Sequence, residues 1–188
     1  MSNIETISNP GLITETYREL NQRLHQGGMF GRRGDRWAPS VRKIARAHGL
    51  SDLLDYGCGQ GALKKALRAA RWGGSALQVR EYDPAIAGKD ALPAAADLVV
   101  CTDVLEHIEP ELLGNVLEHL RSVTRCLLFA VVSTRPAKKT LEDGRNAHLI
   151  VQPDSWWRPQ FARRFGILDW QAYGDEFAVL LAPLPRLS

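Results

Sequence analysis

Apolar residues change their spacing several times along this chain, and each change marks an element. After a polar stretch ending in Asn9-Pro10, Ile13, Tyr17, Leu20 and Leu24 recur at helical spacing, which predicts an amphipathic helix from about Ile13 to His25. Residues 27–37 are rich in glycine and arginine and include Phe30 and Trp37. They read either as a solvated loop or as a lid over a site. Val41, Ile44, Ala45 and His48 predict a second helix, with Gly49 as its stop. Leu53 to Tyr56 is an apolar strand, and Leu63, Ala66, Leu67 and Ala70 then form a helical stripe that closes near Gly73-Gly74. Ala76 to Glu81 is the next strand.

Between Asp83 and Asp97 the chain is rich in alanine and broken by proline, too short for a helix, a strand and their loops. A strand there is short or missing. Asp97 to Thr102 follows, its Leu98, Val99 and Val100 continuous rather than alternating, as suits a strand covered on both faces. Glu109-Pro110-Glu111 opens a helix with the buried stripe Leu113, Val116, Leu117 and Leu120. Cys126 to Val132 is another apolar strand, and residues 133–146 are a long polar connection. Pro153 to Phe165 predicts a helix bearing Trp156, Trp157 and Phe161. Adjacent residues on a helix diverge by about 100°, so either one of the two tryptophans packs in the core and its neighbour borders a substrate, or both belong to the core or the surface. Ile167 to Tyr173 and Phe177 to Leu181, split by Gly174-Asp175, form a closing antiparallel hairpin.

Strands alternating with helices define an α/β class with a doubly wound, mostly parallel sheet, helices on both faces and one reversed closing strand. With 188 residues, one domain is expected over residues 1–188: N-terminal helices and a lid-like loop over residues 1–49, and a core over residues 50–188. No apolar run is long enough to span a bilayer, and the first residues lack the basic cluster and apolar core of a signal peptide, so no membrane insertion and a cytoplasmic location are expected. Cys58, Cys101 and Cys126 are odd in number and lack Cys-x-x-Cys spacing, which argues for reduced thiols over disulfides or zinc. A net charge of +3 neither requires nor excludes a nucleic-acid partner.

In doubly wound sheets, ligands bind at the carboxyl ends of the strands. There this chain places Asp55-Tyr56-Gly57-Cys58-Gly59-Gln60-Gly61, Asp83 and the segment from Cys101 to Ile108. Glycines at alternate positions let a ligand lie against the backbone. Gly57-x-Gly59-x-x-Ala62 also fits the looser dinucleotide fingerprint. Asp83, at the end of the second strand and 22 residues after Gly61, is placed to accept the hydroxyls of an adenosine ribose.

Taken together, Asp55-x-Gly57-x-Gly59-x-Gly61, the acid at Asp83 and Asp97-Leu98-Val99-Val100 leading into Asp103-Val104-Leu105-Glu106-His107 resemble the class I S-adenosylmethionine-dependent methyltransferases. The resemblance runs from about Leu53 to Val132. It implies a Rossmann-like sheet of seven strands, here with the third short or missing. It also implies S-adenosylmethionine as cofactor, its methionine over Gly57 to Gly61 and its ribose on Asp83. Asp55, Cys58, Cys101 and Asp103 complete the implied cofactor set, and Asp90 and Ala91 stand where adenine contacts would fall. A dehydrogenase is disfavoured, because Asp55 would set negative charge beside a pyrophosphate, whereas an ammonium and a sulfonium are favoured by it. Neither Cys58 nor Cys101 is assigned as a nucleophile.

Asp-Val-Leu-Glu-His-Ile resembles most the small-molecule branch of the class, which implies a metabolite, lipid-precursor or sugar-linked acceptor methylated on oxygen or nitrogen. It also resembles the small-RNA 2′-O-methyltransferases, which implies a divalent cation, Mg²⁺ or Mn²⁺, held by Asp103, Glu106, His107 and, from Asn146-Ala147-His148, His148. Without metal, His107 and His148 are the candidate catalytic bases, since imidazole ordinarily titrates near neutrality. The arginines from Arg32 to Arg46, with Arg135, Lys138, Lys139 and Arg145, suit a phosphorylated acceptor or a nucleic acid, or are simply solvated charge. A non-catalytic S-adenosylmethionine-binding module is the remaining alternative. Oligomeric state is not encoded in any of these patterns.

Overall fold

The computed structural model describes residues 11–26, 34–68 and 77–185, with side chains of residues 25 and 26 left aside. The expected tail through Pro10, most of the loop at residues 27–37, the close of the third helix near Gly73 and the start of the second strand at Ala76 lie outside the described residues. The elements run α1 (Glu15–Gln26), a 3-10 turn (Gly34–Trp37), α2 (Ala38–Ala47), β1 (Asp52–Tyr56), α3 (Ala62–Arg68), β2 (Gln78–Tyr82) and β3 (Ala96–Thr102). Then come 3-10 turns at Leu105–His107 and Pro110–Leu112, α4 (Leu113–Val123), β4 (Thr124–Ser133), α5 (Asp154–Ala162), β5 (Phe165–Ala172) and β6 (Glu176–Pro183).

The six strands form one sheet in the order β2-β1-β3-β4-β6-β5. β1 pairs in parallel with β2 and β3, and β3 in parallel with β4. β6 runs antiparallel to both β4 and β5 and is the reversed strand of the closing hairpin. No strand lies between β2 and β3, so the expected third strand is absent, and a compact turn after Asp83 takes its place. In that turn Asp83 N donates to Lys89 O, Ile86 N to Asp83 O and Lys89 N to Ile86 O.

The period of two along each strand sorts the core into two layers. Leu54, Val99, Cys101, Leu128, Ala130 and Val132 face α4 and α5, where Leu113, Leu117, Leu120, Trp157 and Phe161 pack. Leu53, Leu98, Val100, Leu127, Phe129 and Val131 face Val41 and Ala45 of α2 and Leu63 and Leu67 of α3. α1 joins neither layer. Its Tyr17 and Leu20 pack on Leu141 and Ala147 of the connection after β4, which roofs the strand ends.

Several boundaries shift by a residue or two, and at two of them the type of element changes. The helix expected to open at Glu109 begins as a 3-10 turn and becomes α-helical at Leu113. Phe165, expected to close the fifth helix, instead starts β5, after Arg164 N has turned back onto Phe161 O. No helix among the described residues is long and apolar enough to cross a membrane.

Candidate functional site

The chain crosses from β2 on one side of β1 to β3 on the other, which opens a crevice at the carboxyl ends of β1 and β3. A cavity of about 450 Å³ lies there. From the strand ends it is lined by Asp55, Gly57, Cys58, Gly59, Asp83, Thr102 and Asp103, and it is closed by Tyr17 and Asn21 of α1 with Ile13 just before that helix. Arg135, Lys138, Lys139 and His148 line the remaining wall with His107.

The glycine turn is tied to the neighbouring strand, Gly57 N and Cys58 N both donating to Tyr82 O at 2.7 and 3.1 Å. Gly57 and Gly61 have φ of +73°, in the left-handed region. A Cβ on Gly57 would sit 2.4 Å from Val104 Cγ2, and one on Gly61 would sit 2.3 Å from Glu81 Oε1. The first clash guards the cavity wall. The second guards an ion cluster in which Glu81 accepts from Lys64 Nζ at 2.8 Å and Lys89 Nζ at 3.1 Å. Burial works to raise the Glu81 carboxyl, but the two lysines prevail and hold it low.

Asp83 is buried, and each oxygen takes a backbone amide: Oδ2 from Gly59 and Oδ1 from Ala85, both at 3.0 Å. A carboxylate offers about four lone-pair directions, so hydroxyl donors can still be accepted. Asp55 is also buried, and desolvation, followed by the charge of Glu81, raises its carboxyl to about 7. Burial likewise pushes up the thiols of Cys58 and Cys101, consistent with neither being a nucleophile.

Beyond β3 the backbone turns sharply. Asp103 has φ of +55°, its amide donates to Val131 O at 3.1 Å, and its carboxylate lies 3.5 Å from the Arg36 guanidinium, which also pairs with Glu176. The turn brings Glu106 fully inside, where Oε1 accepts from Ser133 N at 3.1 Å and Oε2 has no hydrogen-bond partner among the described residues. Burial, with the nearby Asp103 charge, raises this carboxyl to about 8.

His107 and His148 meet nearly at right angles, ring centroids 4.7 Å apart. His107 Nδ1 lies 2.7 Å from Ala147 O, and His148 Nδ1 lies 2.6 Å from Arg135 O. A carbonyl oxygen only accepts, so both Nδ1 atoms carry the proton and Nε2 is the basic nitrogen of each ring. One ligand atom from each of Glu106, His107 and His148 falls within a group no more than 4.8 Å across. A buried carboxylate oxygen without a partner beside two imidazoles oriented by carbonyls is a donor set that fits a divalent cation. Asp103, expected as a fourth ligand, stands outside this group.

Of the expected cofactor residues, Asp55, Gly57, Cys58, Gly59, Asp83 and Asp103 share the cavity. Cys101 does not: it points into the α4 layer, fully buried, and Thr102 lines the cavity instead. Gly61 also lies off the lining, packed against Glu81, and Pro84 and Ala85 stand where Asp90 and Ala91 were expected. Trp157 is in the core with Phe161 and Phe177, and Trp156 packs against the same core rather than the cavity.

Several site residues carry no local signal. Tyr17 Oη donates to His107 O at 2.6 Å, Thr14 gives its amide and hydroxyl to the Glu109 carboxylate, and Asn21 Nδ2 donates to Tyr17 O. Asn146 frames the connection after β4: Oδ1 accepts from the amides of Ala137 and His148, and Nδ2 donates to Ala137 O, all at 2.9 Å. Thr140 and Asn146 pair as a small antiparallel bridge within the expected long polar connection.

A family model described as a methyltransferase domain matches residues 29–165, most of the chain. The chain belongs to this family. Its fold agrees, and it is a class I S-adenosylmethionine-dependent methyltransferase. Among solved structures, magnesium protoporphyrin IX methyltransferase from Synechocystis PCC 6803, with bound S-adenosylhomocysteine, is similar at a TM-score of 0.56 and 16% identity over 80% of this chain and 83% of that one. The 1,6-didemethyltoxoflavin-N1-methyltransferase of Burkholderia thailandensis is similar at 0.57 and 18%, over 90% of each chain. The 16S rRNA methylase ArmA is similar at 0.52 and 18%, over 89% of this methyltransferase and 98% of that chain. At such identities the likeness shows the fold, and it spans acceptors as different as a porphyrin and ribosomal RNA. No curated protein sequence matches the chain.

Proposed function

We propose that this methyltransferase methylates an oxygen, or a nitrogen in the same position, of a small-molecule or sugar-linked acceptor. The observation that carries the reading is the pair of imidazoles on the cavity wall, each with Nδ1 donating to a carbonyl, so that Nε2 is the basic nitrogen of each ring. S-adenosylmethionine, when bound, supplies the methyl carbon: the acceptor oxygen bonds to it, the carbon–sulfur pair leaves with sulfur, and the sulfonium becomes a thioether.

The residues around that step have separable tasks. Gly57 and Gly59 admit the methionine portion to the backbone, and the ionised Asp55 favours its ammonium. Asp83 accepts the ribose hydroxyls on lone pairs not used by Gly59 and Ala85. His107 or His148 takes the hydroxyl proton on Nε2, while α1 restricts water and limits the directions from which the acceptor can approach.

A second reading is supported by the grouping of Glu106 Oε2 with the two imidazoles. These three residues would hold a divalent cation, which would make the acceptor hydroxyl easier to deprotonate, as an RNA 2′-O-methyltransferase requires. The deciding experiment titrates the protein with S-adenosylhomocysteine and then screens hydroxyl and amine compounds and short RNAs for methyl transfer, with and without chelator. Turnover of a small hydroxyl compound that survives chelator, and falls at least a hundredfold in His148→Ala, supports the first reading. Turnover of RNA alone, abolished by chelator, replaces it with the second. Tight cofactor binding with no turnover, unaffected by His107→Ala and His148→Ala, would make the protein a non-catalytic binding module.

A further inference from the structure

The cavity is divided by charge. The carboxylates that line it, Asp55, Asp83 and Asp103, come from the ends of β1, β2 and β3. The cations that line it, Arg135, Lys138 and Lys139, come from the connection after β4. S-adenosylmethionine carries its ammonium and sulfonium, so the acidic half suits the cofactor and leaves the basic half to the acceptor.

That basic wall is a built one. Asn146 holds Ala137 by both its amide and its carbonyl, Ala147 N donates to Lys139 O at 3.0 Å, and the Thr140 to Asn146 bridge closes the segment. Lysines 138 and 139 therefore stand on a fixed frame directly after Ala137. Arg135 is linked to the base itself, because its carbonyl accepts the His148 Nδ1 proton. Two of these cations are weakly opposed. Arg135 has Asp175 at 3.6 Å, an exposed carboxylate, and Lys138 is exposed with no ion pair among the described residues. Three cations gathered on one wall exceed what a single carboxylate needs and match a phosphate, which takes a forked guanidinium and ammonium point charges together.

We propose that the acceptor carries a phosphate ester near the oxygen that is methylated, and that Arg135, Lys138 and Lys139 hold this phosphate while His148 faces the hydroxyl. The proposal rests on the methyl-transfer reading and adds the substrate class. It also assigns Arg135 a double part, its carbonyl orienting the base and its guanidinium holding the substrate.

The test uses the whole chain. S-adenosylhomocysteine is titrated first by calorimetry; absence of binding would remove the methyl-transfer reading and this proposal with it. The loaded protein is then titrated with inorganic phosphate, ribose 5-phosphate, ribose and a short single-stranded RNA. The expected result is binding of ribose 5-phosphate and phosphate but not ribose. Affinity for the phosphates should drop at least tenfold in Lys138→Glu and further in Lys138→Glu/Arg135→Gln, with S-adenosylhomocysteine affinity held within twofold. Equal binding of ribose and ribose 5-phosphate, or unchanged phosphate affinity in the double variant, overturns the proposal. Binding of RNA alone, weakening steeply with salt, overturns it in favour of a nucleic-acid acceptor.

Discussion

Tyr17 Oη donates a 2.6 Å hydrogen bond to the carbonyl of His107, so a helix outside both core layers is fastened to the segment that carries a candidate base. Asn21 strengthens the tie by donating to the carbonyl of Tyr17 one turn earlier. The helix that closes the cavity is therefore tied directly to the wall that carries His107.

Tyr17→Phe removes that bond and little else. A net hydrogen bond is worth about 0.5–1.5 kcal/mol, which lowers the melting temperature by about 1–6 °C in a chain of this size. Turnover should fall further than stability suggests, by about tenfold, because the His107 backbone is released. Calorimetric melting and steady-state methyl transfer check the two effects.

Gly57→Ala should weaken S-adenosylhomocysteine binding by at least tenfold, through a positive φ and a Cβ 2.4 Å from Val104 Cγ2. Adding Val104→Ala removes the clash and leaves the φ penalty, so the double variant should recover part of the affinity. No recovery at all would mean that the side-chain clash is not what limits binding.

Cofactor affinity should depend on pH through Asp55, whose carboxyl is raised to about 7 by burial and the Glu81 charge. Below that value the group is neutral and offers nothing to an ammonium. Affinity for S-adenosylmethionine should thus rise between about pH 6 and pH 8, and Asp55→Asn should bind weakly with no such slope. Titration calorimetry at several pH values measures this.

Stability without ligand should run the other way. Glu106 is raised to about 8 in the folded protein from an ordinary value of 4.5. A raised carboxyl contributes stability that is complete below its unfolded value and is lost as pH climbs through its folded one. Melting temperature should fall between about pH 5 and pH 9, and Glu106→Gln, which can still accept from Ser133 N, should flatten that fall and be the more stable protein at pH 9.

Asn146→Ala removes three hydrogen bonds that set Ala137 and His148. Turnover should fall by ten- to a hundredfold while S-adenosylhomocysteine affinity stays within twofold, since no cofactor-side residue is touched. Equal losses in both would mean that the connection after β4 also shapes the cofactor half.

The sheet was legible in the sequence because its signals are local. Leu98 to Val100 and Cys126 to Val132 are continuous apolar runs too short for typical helices, and Gly57 to Gly61 read together with Asp83 and Asp103 to His107 points to a strand-end site. Where the reading went astray, an adjacent residue held the answer. Cys101 shares the face of Val99, so period-two alternation could have sent it to the core and Thr102 to the cavity. Phe165 is apolar enough for helix or strand, and no glycine or proline marks the turn at Arg163-Arg164. The roles of Tyr17, Asn21 and Asn146 are of another kind, set by backbone atoms up to 90 residues away for which a sequence holds no local cue.

The missing strand has a consequence for how the protein behaves in solution. With nothing paired outside it among the described residues, β2 presents a sheet edge, the kind of surface on which chains add to one another. It is only five residues long, and Gln78, Arg80 and Glu81 occupy three of them. Arg80 is fixed there by Asp52 and by the carbonyls of Ala94 and Ala95. Charge and brevity thus guard against aggregation where a further strand would otherwise have done so.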